Sequence, residues 1–220
     1  MTLDAPTKPA DCGQIDALCY SGVYRITPST DVTFDVYCDM DTPDGPWTVI
    51  QNRQSGEVDF YRSWADYKNG FGDLYGNFWL GNDAIHDLST SSSVLRIDLN
   101  SWLGDARYAE YTTFSVENEA DDYRLTVSGF SGTVFHDAMA IHSGMRFSTF
   151  DDDNDVWGGG SCAVLRRAGW WYRDCYHTNL NGGLYINGTD TASPLWRYFY
   201  EDIEWVNMRK TRMLVKRPQQ

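Results

Sequence analysis

No run of apolar residues in this 220-residue chain approaches the length needed to span a bilayer. Positive charge is scarce as well, with 18 Lys and Arg against 31 Asp and Glu and a formal net charge of −13. A surface that binds nucleic acid needs a basic stripe, and none stands out, so nucleic acid and anionic membrane surfaces are poor partners. The paired CxxC spacing of zinc sites is missing. So are an internal repeat, a coiled-coil heptad and, in the opening MTLDAPTKPADC, the apolar segment of a signal peptide. No Ser or Cys in a recognisable nucleophile elbow accompanies His142 or His177, and no carboxylate pair singles out a glycosidase. The expectation is a chain that is not an enzyme.

What is present is aromatic content of 15%, including nine Trp, and five cysteines spread through loop-rich sequence. The cysteines suit an oxidising compartment, and the sequon Asn187-Gly188-Thr189 agrees with it as a candidate glycosylation site. The chain thus reads as the mature or expressed part of a secreted, extracellular protein whose leader is absent. Residues 1–10, rich in Pro and Asp, read as a tail or linker. SGVYRITP, VTFDVYCDM and WTVIQNR alternate as half-buried strands, with the turn signal PDGPW before the third. Phe60, Trp64 and Tyr67 are spaced for a short helix ending at Asn69-Gly70, and Asn82 to Leu88 suits another. VLRIDLNSW, AEYTTFSVENE and DYRLTVSGFSG read as consecutive antiparallel strands, and TRMLVKRP as a strand returning to the sheet.

Phe150 to Gly182 is the most informative stretch. Asp151, Asp153 and Asp155 stand at alternate positions, where a curled backbone could converge them on one hard cation. Calcium suits such a set because it takes six to eight oxygens in flexible geometry and accepts backbone carbonyls. Gly158, Gly159 and Gly160 let the chain bend its carbonyls inward. An EF-hand does not fit, since Val156 stands at the loop's sixth position and Cys162 at its twelfth. The aromatic block AGWWYRDCY follows within the same loops, which are too long for mere connectors.

Several phrases resemble one family, the fibrinogen C-terminal domains, which include ficolins, tachylectins, angiopoietins and the globular ends of fibrinogen chains. They are GVYRITP, the long run from VYCDMDTPDGPW to FWLGND, FSTFDDDND, AGWWYRDC and NLNG, in the family's order from about Asp11 to Pro218. The resemblance implies one α+β domain over 11–220. Its parts would be a small N-terminal sheet (about 11–50), a central antiparallel sheet with short helices (51–140), and a loop-rich binding region with the returning strand (141–220). It implies disulfides Cys12–Cys38 and Cys162–Cys175. Cys19 is left over for an inter-chain bridge or a buried thiol, or in place of Cys12 in the first bridge.

Carried over residue by residue, the calcium ligands are the side chains of Asp153 and Asp155 and the carbonyls of Trp157 and Gly159. The stretch between Asp155 and Cys162 is one residue longer than in ficolins, which bears on the two carbonyls. The family's acetyl-binding members have an aromatic cup beside the metal, with N–H groups, here of Cys175 and Tyr176, aimed into it by a cis Asp174-Cys175 peptide. Tyr176 and either Phe199 or Tyr200 would be its walls, whereas Arg166 stands where acetyl binders carry an aromatic residue. A guanidinium there suits a carboxylate or sulfate. Trp170, Trp171 and Tyr172 are expected mostly to pack the loop core. The resemblance thus implies a calcium-dependent lectin for acetylated glycans, including sialylated or sulfated ones, multivalent as a homo-oligomer. The alternatives are a module that binds a protein receptor or matrix partner, and a purely structural matrix component.

Overall fold

The computed structural model describes residues 8–16, 18–90, 93–188 and 190–217. Residues 1–7 of the expected tail and Thr189 of the sequon lie outside the described residues. Where the tail meets the domain it is already anchored, because the Pro9 carbonyl accepts from the Thr27 N–H at 2.7 Å.

The alternating segments form strands as the periodicity predicts: β1 (Gly22–Ser29), β2 (Val32–Asp39) and β3 (Trp47–Arg53). Helix α1 (Trp64–Asn69) starts four residues after Phe60. Ser63 sets that start, its hydroxyl accepting from the Asp66 N–H while the Asp66 carboxylate accepts from the Ser63 N–H. It stops at Gly70, whose φ of 89° also brings its α-carbon against the Leu80 carbonyl, where a side chain would clash. Then come the two-residue strands β4 (Phe71–Gly72) and β5 (Phe78–Trp79), α2 (Asn82–Ser89), β6 (Ser93–Ser101), β7 (Ala106–Val116) and β8 (Leu125–Gly132). After the 3-10 turn Ala140–His142, the described residues of the loop half form α3 (Cys162–Arg166), β9 (Thr178–Asn179) and β10 (Leu195–Arg197) before β11 (Trp205–Lys216).

The main sheet is antiparallel in the order β1-β2-β3-β11-β6-β7-β8. The last strand is its keystone: Met213 of β11 lies opposite Gln51 of β3 on one side and Ile97 of β6 on the other. The N-terminal and central sheets are therefore continuous. In β6, buried and part-exposed residues alternate without a break, so one face packs the core and the other stays polar. Cys12–Cys38 and Cys162–Cys175 are both bonded. With Cys12 engaged, Cys19 does not replace it and stays a free, partly exposed thiol.

The core continues under the loops. Trp170, Trp171 and Tyr172 have no exposed surface, as expected of core packers. The Trp171 ring packs against Phe147 (5.2 Å), Trp170 (5.2 Å) and Trp79 (5.9 Å), and its Nε1–H donates to the Tyr123 carbonyl at 2.7 Å. Gly169 is needed before this block because a β-carbon there would sit 2.6 Å from the Tyr67 ring.

Candidate functional site

The loops have few ladder hydrogen bonds, so buried polar side chains satisfy their backbone instead. Gln51 and Arg53 reach off β3 to do this. Gln51 Nε2 donates to the Leu180 carbonyl (3.1 Å), and Arg53 Nη1 donates to the Asn181 carbonyl (2.8 Å). Burial pushes the Arg53 guanidinium down to about 10, and the Phe60 ring 4.5 Å away shares its charge. His142 does the same from the other side. Its Nδ1 donates to the Trp171 carbonyl (2.6 Å), and its Nε2 accepts from the N–H groups of His177 (3.2 Å) and Thr178 (3.3 Å). That pattern assigns the neutral ring with the proton on Nδ1, and burial lowers its pKa to about 4. His142 is a structural tie, and His177 accepts at Nε2 from Arg197, so neither is placed as a catalytic base.

The acidic run divides its labour. Asp151 does not turn toward Asp153 and Asp155: its Oδ1 accepts from the Trp64 N–H at the start of α1 (2.9 Å) and from the Thr149 hydroxyl (2.7 Å). The alternation therefore overstated the convergence, because a free helix N-terminus competes for the carboxylate. Asp155 Oδ1 accepts from the Trp157 N–H (2.8 Å) and Oδ2 from the Cys162 N–H (2.7 Å). Burial holds its carboxyl above the usual carboxylate range, and the neighbouring Asp153 carboxylate pushes the same way.

This donor set fits calcium. It offers two adjacent carboxylates with lone pairs to spare and, among the described residues, Trp157 and Gly159 carbonyls that accept no other hydrogen bond. No cluster of three or more His, Cys, Asp or Glu suited to a metal occurs among the described residues, so backbone oxygens would have to complete the shell. The loop is tied to the second cysteine by the Cys162–Cys175 bridge and by the Val156 N–H donating to the Arg173 carbonyl (3.2 Å).

The Asp174-Cys175 peptide is cis, as the resemblance implies, but the cup beyond it is closed. Tyr176 is only 7% exposed, its hydroxyl donates to the Thr191 carbonyl, and the Arg166 guanidinium lies 4.8 Å from its ring centroid. Arg166, partly exposed, also donates to the Thr191 hydroxyl and has no carboxylate partner among the described residues. Phe199, expected as a wall, is fully buried. It stacks on Tyr200 at 4.8 Å, and both rings flank Arg107, at 5.0 and 4.7 Å. Tyr200 is held by Asp105 and Ser101. Both aromatic residues serve the end of the sheet, because the chain turns back at Tyr198, whose φ is 49°.

Besides Tyr172, at 6.5 Å, the aromatic neighbour of Tyr176 is Trp205, at 5.9 Å edge to face, which the sequence reading did not place there. Its signal was only its position at the entrance of the returning strand. Arg197 stacks between Trp205 (5.4 Å) and Tyr198 (5.2 Å), held by Glu204 at 2.8 Å. On the far side of Trp205 is a recess of about 160 Å³ walled by Trp102, Leu103, Ile203 and the sequon's Asn187. Leu103 and Ile203 are 76% and 40% exposed.

A continuous antiparallel sheet, two short disulfide loops and an aromatic-cored loop half with an acidic turn define a globe of the fibrinogen type. The family described as the C-terminal globular domain of fibrinogen beta and gamma chains matches residues 8–219, and the chain belongs to it. Mouse angiopoietin-related protein 7 is 46% identical over 183 residues, which are 81% of this chain and 54% of that protein. Fibrinogen-like protein A of Apostichopus parvimensis is 42% identical over 206 residues, covering 90% of this chain and 72% of that one. This chain spans about half the length of the angiopoietin-related proteins it matches. Among solved structures, the fibrinogen-like globe domain of human ANGPTL2 superposes with a TM-score of 0.89 at 33% identity, over 96% of this chain and all of that one. Lamprey fibrin D-dimer, complexed with the peptide Gly-His-Arg-Pro-amide, gives a TM-score of 0.82 at 34% identity, over 98% and 76%.

Proposed function

We propose that this globe is a secreted, calcium-supported module that binds a protein receptor or matrix partner through its loop half. The closed cup carries this reading: among the described residues Tyr176 is covered by Arg166 and bonded to Thr191, so its ring is not open to receive an acetyl methyl. The exposed Leu103 and Ile203 beside Trp102 and Trp205 favour the same conclusion, since apolar surface around a small recess suits the anchor side chain of a protein partner. Kinship with angiopoietin-related proteins and the peptide complex of lamprey fibrin agree with it.

Calcium would be held by Asp153, Asp155 and the carbonyls of Trp157 and Gly159, where it neutralises two adjacent carboxylates. Its effect on recognition would then be indirect, through the ties that join Asp155 to Cys162 and Val156 to Arg173. Several copies, joined through Cys19 or otherwise, would raise a weak single-site affinity, and light scattering on the complete protein tests that. The test of function presents the calcium-loaded protein to an array of acetylated, sialylated and sulfated glycans and to a panel of extracellular receptor ectodomains. Chelator-sensitive binding to one or a few ectodomains with a blank glycan array is expected; the reverse pattern overturns the reading. A glycan lectin remains the second reading, favoured by Arg166, whose guanidinium has no carboxylate partner among the described residues.

A further inference from the structure

A cavity of about 480 Å³ lies on the polar face of the main sheet; its lining comes from strands and their ends, and Phe199 of the loop half touches it only by holding Arg107. Strand register builds it: Arg212 of β11 is opposite Asn52 of β3 and Asp98 of β6, Asp98 is opposite Tyr108 of β7, and Lys210 is opposite Asn100. Four cations line it, Arg96, Arg107, Lys210 and Arg212, against the single carboxylate of Asp98. In a chain of net charge −13 that concentration is unusual.

The four are not equivalent. Arg96 is bonded to Asp98 (2.8 Å) and Glu110 (3.0 Å), and Arg212 to Asp39 (2.6 Å) and Asp98 (2.9 Å). Three carboxylates therefore neutralise two guanidiniums. Arg107 has no carboxylate among the described residues. It donates to the Phe199 carbonyl (2.6 Å) and is held between the Phe199 and Tyr200 rings, so its charge is fixed in place. Lys210 is exposed and forms no ion pair among the described residues. Beside them, the side-chain amides of Gln54 and Asn100 make no hydrogen bond among the described residues, which leaves neutral donors and acceptors free for a peptide backbone.

We infer that this groove is a second binding site, distinct from the loop half, for an extended acidic segment of a partner protein whose carboxylate meets Lys210 and Arg107. A sulfated polyanion fits poorly, because Asp98, Asp39 and Glu110 would repel a dense line of negative charge. The inference does not depend on the proposed function of the loops.

The test is fluorescence anisotropy with a fluorescein-labelled peptide of alternating glycine and glutamate, titrated with the whole protein at low ionic strength. Saturable binding is expected, weakened more than tenfold in Lys210→Glu with an unaltered thermal melt. Should Lys210→Glu melt early, Lys210→Ala takes its place, with a smaller loss of affinity expected. No anisotropy change, equal binding of a control peptide with glutamine in place of glutamate, or indifference to Lys210 would overturn the inference. So would displacement by free glutarate at the peptide's own concentration, or binding of a heparin hexasaccharide in preference to the peptide.

Discussion

The sheet and the loops of this molecule are stabilised by different means. Along β6, β7 and β11 the backbone is paired strand to strand in long antiparallel ladders, interrupted at Met208/Lys210 and at Ser93/Leu95. Between Phe147 and Trp205 the backbone is held by single side chains: Arg53 on Asn181, Gln51 on Leu180, His142 on Trp171 and Thr178. Redundant bonding makes a region tolerant of substitution, whereas a buried tie with no substitute leaves a polar group unpaired when it is lost, at a cost of about 1–3 kcal/mol. The loops can therefore carry a specific surface, at the cost of depending on a handful of residues.

The sharpest way to break this contrast is Trp171→Ala, which empties the loop core. It should cost about 3–5 kcal/mol in chemical denaturation, with the near-ultraviolet aromatic signal lost first from the loops. Acidification comes next. His142 titrates at about 4 when folded and near 6.5 when exposed, so the unfolded chain binds the proton more readily. The neutral ring's contribution is complete above about pH 6.5 and disappears as pH falls through 4, an effect of about 3 kcal/mol in all. Urea midpoints measured between pH 7 and 4 should show it, and His142→Gln should be weaker at pH 7 but flatter in its pH dependence.

The acidic run sharpens the comparison further. Asp153→Ala should abolish the rise in melting temperature on adding calcium, whereas Asp151→Ala should keep that rise and cost about 1 kcal/mol through the lost hydrogen bond to the Trp64 N–H of the Ser63-capped helix α1. A calcium response surviving in Asp153→Ala would remove that residue from the ligand set. The smallest effect belongs to the sheet surface. The pair of Arg25 and Asp35, 2.8 Å apart and largely exposed, should show little or no coupling in a double-mutant cycle.

How far the sequence could be read follows the same division. Strands such as β6 announce themselves because burial on one face writes an alternation into the chain. The two- and three-residue strands β4, β5, β9 and β10 are too short to leave a period. The start of β11 at Trp205 is hidden by the exposed acids and turns before it. In the site, both disulfides and the cis Asp174-Cys175 peptide were legible from phrases in register with a family. Asp151 was not, because its partner, the Trp64 N–H, lies 87 residues away. Phe199 and Trp205 exchanged roles for a related reason: several aromatic residues lie close together in sequence, and only the turn at Tyr198 decides which one faces Tyr176.

The measurement that bears most directly on the central claim is a calorimetric titration of N-acetylglucosamine into the calcium-loaded protein. A cup closed by Arg166 and Tyr176 predicts no saturable heat up to millimolar sugar. Saturable, chelator-sensitive binding that is lost in Tyr176→Ala would contradict it and return the loop half to carbohydrate recognition.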